Sequence, residues 1–268
     1  MRWPRNCRPA VLLFLAFAGC SHWRPPALPV ADSITLDQLV VYSDFEVPQK
    51  HRLLDELNGL RAVVAAELQL PASDEPVHVY LFKTPRRYQA FMQRHFGDYP
   101  QRRALFVETD TQLNVYAHWG DHVAEDLRHE VCHGYLHAAL AGLPLWLDEG
   151  LAEYFELDRG REGFHAEHLA SLRKLLVRED WLPDLARLEQ LQTIAQMEQL
   201  DYAESWAWVH FLLKTEPQRR EILLNYLRDL PQRGAGRPLS ERLRQQEPEA
   251  AIRLRQHLRG LIERAAVR

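Results

Sequence analysis

A short segment of the chain combines the residue types that metal-dependent hydrolysis uses. His129 and His133 lie four residues apart, so on a helix they share one face and can both reach the same ion. Imidazole nitrogens are common ligands of zinc. Glu130 follows the first histidine directly, where its carboxylate can act as general base toward a water molecule at the metal. The segment therefore predicts a zinc site with Glu130 as the base.

A catalytic zinc site takes a third protein ligand and keeps one position open. Glu149 is the candidate, because it lies in the segment WLDEGLAEY at 146–154, after a turn that can return a second helix past the metal. Glu153 lies four residues further on the same helix face. There it can accept a hydrogen bond from a ligand imidazole and fix its tautomer. The predicted metal ligands are thus His129, His133 and Glu149.

Two neighbouring residues have less specific interpretations. His137 continues the histidine stripe, but it lies about 12 Å along the helix axis from His129 and cannot share its metal. We expect it to pack beside the site or to support a ligand. A third histidine ligand six residues after His133 is excluded, because Ala139 occupies that position. Asp148 is interpreted mainly as an acidic residue at a helix N-terminus.

The hydrophobic pattern predicts the elements that must position these residues. Up to residue 120 it indicates strands at 34–45, 77–82, 104–108 and 112–117, with helices at 48–70 and from Pro85. From residue 121 onward it indicates helices at 121–140, from 145, and at 165–178, 202–214, 217–227 and 249–266.

This order of elements favours the α+β class. We expect a small N-terminal mixed β-sheet with helices, residues 34–120, packed against a mainly α-helical C-terminal lobe, residues 121–268. The helix that carries both histidines would lie between the two lobes, which share a core.

The first residues predict export and lipid attachment. A basic stretch and an apolar run too short to span a bilayer precede Cys20. The residues FAGC at 17–20 resemble the lipobox of bacterial lipoproteins. The resemblance implies a signal peptide at 1–19, a lipid on Cys20 and an extended tether at 20–33. Ser21 favours the outer membrane, with the protein facing the periplasm; an ordinary secretory signal is the alternative.

Composition limits the remaining classes. Hydrophobic residues make up 46% of the 268 residues, enough for a sizeable core. The formal net charge of −4 gives no indication of a nucleic-acid partner. Of the three cysteines only Cys132 lies in the folded body, so a disulfide framework is excluded.

Over residues 34–215 the chain resembles the peptidase MA-like superfamily, which belongs to the gluzincin-type zinc metallopeptidases. The resemblance rests on the motif HExxH at 129–133, on WLDEGLAEY at 146–154 and on YAESWAWV at 202–209. It implies a zincin-like active-site helix and one zinc ion on His129, His133 and Glu149, with Glu130 as base. It also implies that Tyr202 donates a hydrogen bond to the oxyanion of the reaction.

The resulting hypothesis is a zinc metallopeptidase of the bacterial envelope, with a peptide or protein as substrate. The resemblance implies that the strand at 112–117 pairs with an extended peptide. The chain lacks a Gly-Ala-Met-Glu-Asn-like segment before the zinc helix, which favours an endopeptidase or oligopeptidase. The alternatives are a non-catalytic envelope lipoprotein that keeps this fold as a scaffold or adaptor, and a structural zinc site, although no fourth ligand is evident.

Overall fold

The computed structural model describes residues 27–48, 50–97, 102–157, 160–161, 163–178, 180–233 and 236–266. The predicted α+β class is confirmed. The strands in this part of the chain are β1 (Asp32–Leu36), β2 (Leu39–Ser43), β3 (Val77–Phe82), β4 (Ala104–Glu108) and β5 (Leu113–His118). The helices are α1 (Arg52–Leu68), α2 (Pro85–His95), α3 (Val123–His137), α4 (Leu145–Phe155), α5 (Ala166–Leu176), α6 (Leu185–Leu188), α7 (Gln199–Lys214), α8 (Pro217–Arg233), α9 (Leu239–Gln246) and α10 (Ala250–Ala266), with a 3₁₀ turn at Ile194–Gln196.

The five strands form one mixed sheet in the order β1-β2-β3-β5-β4. The central pairs, β2 with β3 and β3 with β5, are parallel, and the two outer pairs are antiparallel. α1 connects β2 to β3, and α2 leads from β3 to the β4–β5 hairpin. The strand predicted at 112–117 is therefore interior, and β4 is the edge strand beside α3. The prediction that the strand at 112–117 is an edge strand that pairs with substrate is wrong, because β5 already has a partner strand on each side.

The N-terminal segment differs from the prediction in two ways. The single strand expected at 34–45 is a hairpin of β1 and β2, in which Leu36 pairs with Leu39. The turn uses a positive φ of 50° at Asp37, a residue type that tolerates this conformation. An uninterrupted β-pattern concealed this tight turn. The predicted tether at 20–33 also ends early, because β1 begins at Asp32.

α3 lies between the sheet and the helical lobe. On one side it buries Leu127, Val131 and Tyr135 in the core that it shares with α1 and the sheet. On the other it buries Cys132 and Leu136 in the core of the helical lobe. α1 also contributes to both cores, so the expected shared core consists of two apolar clusters joined by the same two helices.

Two glycines allow the helices that carry the site to approach their neighbours. A Cβ on Gly134 of α3 would lie 2.6 Å from Val77 Cγ1 of β3. A Cβ on Gly150 of α4 would lie 2.7 Å from the carbonyl oxygen of Ser205 in α7. Each glycine directly follows a candidate ligand in the sequence, so close packing fixes both ligand-bearing helices. Within the described residues, none of the helices combines the length and apolar character that a membrane span needs.

Candidate metal centre

The three predicted ligands converge. His129 and His133, on successive turns of α3, place their Nε2 atoms 3.2 Å apart. Glu149 of α4 places Oε2 3.5 Å from His129 Nε2 and 3.8 Å from His133 Nε2. Ligand bonds of about 2.0–2.1 Å in a tetrahedral zinc site put neighbouring ligand atoms about 3.3 Å apart. The separations in this cluster therefore suit a zinc ion.

The hydrogen bonds of both imidazoles leave their lone pairs directed at the same point. His129 Nδ1 lies 2.7 Å from Glu156 Oε2, and His133 Nδ1 lies 2.7 Å from Asp148 Oδ1. An ionised carboxylate can only accept a hydrogen bond, so the Nδ1 atom facing it carries the hydrogen. In each neutral ring Nε2 then keeps its lone pair. Two lone pairs at 3.2 Å repel each other unless a metal ion or a proton lies between them.

The carboxylate of Glu149 completes this argument. Its Oε2 is buried and makes no hydrogen bond among the described residues. Burying an unpaired polar atom is costly, and burying a carboxylate oxygen without a cation or donor is more so. The donor set and the unpaired oxygen both fit a metal ion. Burial disfavours a charged His129, yet the neighbouring carboxylates of Glu149 and Glu156 raise its pKa well above the ordinary value, so the site favours positive charge.

Glu130 lies beside this cluster at the edge of the sheet. It is buried, and its Oε2 accepts a hydrogen bond of 2.7 Å from the backbone amide of Phe106 in β4. Burial raises the pKa of Glu130, because the charged form loses solvation. A raised pKa makes a carboxylate a better proton acceptor near neutral pH. A cavity of about 380 Å³ is lined by both Glu130 and His129 and gives access to the cluster.

Tyr202 lies close enough to the cluster for the charge of Glu149 to change the pKa of its hydroxyl. After burial, the negative charge of Glu149 is the largest cause that raises the pKa of Tyr202. The hydroxyl accepts a hydrogen bond of 2.6 Å from Arg102, which leaves its own hydrogen available for donation. The sequence interpretation missed Arg102. It lies outside every motif, and only the packing of the segment before β4 against α7 reveals it.

The predicted role of Glu153 is corrected. Glu153 accepts a hydrogen bond of 2.7 Å from His168 Nε2, not one from a ligand imidazole. Glu156 and Asp148 hold the ligand rings instead. The physical reason is the crossing of α3 and α4, which brings the two ends of α4 to the Nδ1 atoms. The seven-residue spacing from Glu149 places Glu156 on the same helix face and could have indicated it.

Asp148 has a larger role than its position in the first turn of α4 suggested. Besides His133, it accepts a hydrogen bond of 3.0 Å from His137 Nε2 through Oδ2. His137 also donates from Nδ1 to Glu108 Oε2 at 2.7 Å. Although burial opposes it, hydrogen bonding to Asp148 and Glu108 raises the pKa of His137 to about 9. His137 thus packs beside the cluster and holds Asp148, whereas its role in supporting a metal ligand stays a prediction.

A second group of potential ligands differs from the first. Ligand atoms of Glu153, His165 and His168 lie within 4.8 Å of one another. Hydrogen bonds already use the polar atoms of this group, because His168 Nε2 donates to Glu153 and His165 Nε2 donates to Glu156 Oε1 at 3.0 Å. His165 Nδ1 in turn accepts the backbone amide of His168 at 3.3 Å. This group is therefore satisfied without a cation.

Comparison with known proteins gives no function. Residues 124–235 match the family model DUF1570, which is described as a protein of unknown function. The matched range contains the three candidate ligands, Glu130 and Tyr202, whereas the sheet lies outside it. No match was found among the curated proteins. Cys20 and the predicted signal peptide at 1–19 lie outside the described residues.

Proposed function

We propose that this protein is a zinc-dependent metallopeptidase. The single observation that supports the proposal most strongly is the convergence of two imidazole lone pairs with an unpaired, buried Glu149 oxygen. Glu130 stands beside that point with a raised pKa, which a purely structural metal site does not require. The donor set of two histidines and one glutamate is one that catalytic zinc sites use.

The residues of the chain then have separate roles. His129, His133 and Glu149 would hold the ion, and zinc in such a site lowers the pKa of a water ligand and polarises a carbonyl group. Glu130 is held at Oε2 by the Phe106 amide, so its other oxygen takes up the proton of the attacking water. The same carboxyl group then passes that proton to the leaving amine.

Tyr202 and Arg102 are the candidates for stabilising negative charge on the substrate. The Tyr202 hydroxyl is polarised by the Arg102 guanidinium at 2.6 Å and retains its hydrogen for donation. Donors fixed in place before reaction stabilise a developing oxyanion more than mobile water does. The pair therefore supports the role that sequence resemblance implies for Tyr202.

The edge strand β4 supplies a surface for an extended substrate. The amide of Phe106 points away from β5 toward Glu130, so the amides of Ala104 and Glu108, two residues away, face the same side. An extended peptide can add to such an edge by main-chain hydrogen bonds. We therefore place the substrate along β4, and an endopeptidase or oligopeptidase fits this open arrangement.

The decisive experiment compares wild-type protein with Glu130→Gln after zinc loading. We expect equal zinc content and a loss of peptide hydrolysis of at least about 100-fold, since general base catalysis contributes about 10²–10⁴. Glu221→Gln, an exposed residue of α8 that lies outside the lining of the cavity at Glu130, is the matched control and retains activity. Equal hydrolysis by wild-type and Glu130→Gln protein would contradict the proposal. A zinc-loaded wild type without hydrolysis would favour a non-catalytic scaffold.

We also propose that the protein is anchored in the bacterial envelope through a lipid on Cys20. The support is the lipobox-like sequence FAGC at 17–20 alone. Metabolic labelling with a fatty acid tests it: the wild-type chain takes up label, and Cys20→Ser does not. Label that persists in the variant would refute attachment at this residue.

A further inference from the structure

Both histidine ligands of the proposed centre are backed by the same arrangement of groups. From His133 Nδ1 the chain of contacts runs 2.7 Å to Asp148, whose other oxygen lies 3.0 Å from His137 Nε2. From His129 Nδ1 it runs 2.7 Å to Glu156, whose other oxygen lies 3.0 Å from His165 Nε2. Each ligand imidazole is thus followed by a carboxylate and then by a second, outer histidine.

This arrangement fixes the carboxylates by both oxygens. A carboxylate held at one oxygen can rotate about its terminal bond and lose its alignment with the ligand ring. A donor on the second oxygen removes that freedom and keeps the bond to Nδ1 at 2.7 Å. Groups that orient metal ligands typically change metal affinity by about 10–100-fold when they are removed. His137 and His165 thus fix the two carboxylates that orient His133 and His129.

We propose that His137 and His165 are positioning residues that set the zinc affinity by fixing the carboxylates of Asp148 and Glu156. The inference rests on the metal centre proposed above. The two outer histidines come from different elements: His137 ends α3, whereas His165 precedes α5. The start of α5 is therefore part of the metal centre, although it supplies none of the three ligands.

His165 allows the positioning role to be separated from a structural one. Its Nδ1 accepts the amide of His168 at 3.3 Å and so caps α5, while its Nε2 holds Glu156. Asparagine is a good helix cap and replaces the first contact but is too short for the second. Glutamine extends an amide donor toward Glu156 and is the conservative replacement for the second contact.

The experiment measures zinc dissociation constants by competition with a chelator, together with the visible spectrum of Co²⁺-substituted protein. For His165→Asn we expect about 10-fold weaker zinc binding and a changed Co²⁺ spectrum, in a protein whose circular dichroism shows that it remains folded. His165→Gln restores most of the affinity. The same pair of substitutions at His137 gives the same result for the other ligand. The double variant His137→Asn/His165→Asn is expected to bind about 100-fold more weakly, because His137 and His165 lie on different elements and hold different carboxylates.

The matched control is His168→Gln, one turn further along α5, which bonds Glu153 and not a carboxylate that holds a ligand. Its zinc affinity stays that of wild type. Wild-type affinity and spectrum in both Asn variants would overturn the inference and leave the metal centre in place. A wild-type chain that binds no zinc would overturn the metal centre and the inference with it.

Discussion

At the scale of single residues, Glu149 carries the clearest signature of the site. Its Oε2 is buried, lies within 4 Å of two imidazole nitrogens and makes no hydrogen bond in the described part of the chain. Such an atom destabilises the fold until a positive partner arrives. Glu149 therefore lowers the stability of the metal-free protein, while its carboxylate is the candidate third ligand of the proposed ion.

The substitution Glu149→Gln tests this opposition. In chelator-treated protein we expect the free energy of unfolding to rise by about 1 kcal/mol, because the amide donates to the imidazole lone pairs and removes an unpaired charge. The gain in melting temperature on adding zinc is expected to disappear, since one ligand is lost. Thermal unfolding with and without zinc measures both effects.

Glu153→Gln, one turn further along α4, is the control for this experiment. Its carboxylate is already hydrogen-bonded to His168. We expect lower stability without zinc and a retained zinc response. A Glu149→Gln protein that zinc stabilises as much as wild type would contradict the ligand assignment.

Residue spacing predicted the three candidate ligands, and the structure brings them together. His129 and His133 share a face whenever the segment is helical, so their proximity follows from the chain itself. The contacts of Asp148 and Glu156 with the two imidazoles depend on how α3 crosses α4, which a local sequence pattern does not indicate. Arg102 is further still from any motif. The assignments of zinc, of Glu130 as base and of Tyr202 as donor stay predictions.

At the scale of elements, the contact between α4 and α7 fixes the carboxylate of Glu149, the candidate third ligand. Gly150 follows Glu149, and a methyl group there would approach the Ser205 carbonyl at 2.7 Å. Since a carbonyl of the helix backbone cannot rotate away, the helices would have to separate. Any shift of α4 moves Glu149 relative to α3 and changes the metal site.

We therefore expect Gly150→Ala to lower the free energy of unfolding by about 1–3 kcal/mol, the range typical of overpacked cores. Chemical denaturation at constant zinc measures the effect. Gly260→Ala in α10 is the control, because its new methyl group meets only the end of the Arg264 side chain at 3.3 Å. That variant gains about 0.5–1 kcal/mol from helix propensity. Two equally stable variants would show that α4 and α7 can separate freely.

Element prediction succeeded where hydrophobic periodicity was long. The helices around both ligand segments and the β4–β5 hairpin were predicted within a few residues. Prediction failed where one apolar run continues through a tight turn, as at Asp37. It also failed for the position of a strand within the sheet, because only the pairing of β5 between β3 and β4 makes β4 the edge.

At the scale of the whole molecule, a buried histidine of α7 and a half-buried histidine of α10 connect the C-terminal helix to the helical core. His210 Nδ1 of α7 lies 3.0 Å from His257 Nε2 of α10. Burial, together with the nearby positive charges, lowers the pKa of His210 to about 3 and that of His257 to about 4. Both rings are therefore neutral in the folded protein at pH 7.

This pair predicts a loss of stability in acid. The unfolded chain takes up protons on these histidines below pH 6.5, whereas the folded chain does not until about pH 3–4. Their contribution is thus complete above pH 6.5 and falls as the pH decreases toward 4. His257→Gln keeps a neutral hydrogen-bonding group, so its stability should fall less steeply, by about one proton. Chemical denaturation of chelator-treated protein at several pH values measures the difference, and equal slopes would contradict it.

The division into two lobes stays a prediction, because α1 as well as α3 contributes to both apolar clusters. One apolar cluster packs on the sheet and another lies in the helical lobe, and the expected boundary near residue 120 precedes α3, which contributes to both. Sequence can mark where a pattern changes, but it cannot show that one helix is packed on two sides. Ten of the fifteen residues of α3 are buried for this reason.

Cys132 lies on this doubly packed helix, between His129 and His133 in sequence, and burial raises the pKa of its thiol. An alkylating reagent needs both access and a thiolate. In the native fold the thiol is buried and protonated, so the reagent can react with this sulfur only while α3 is separated from its neighbours. The rate of alkylation at Cys132, measured from the mass of the peptide that contains it, would therefore report how often the helix that carries the candidate ligands separates from its neighbours, without requiring a known substrate.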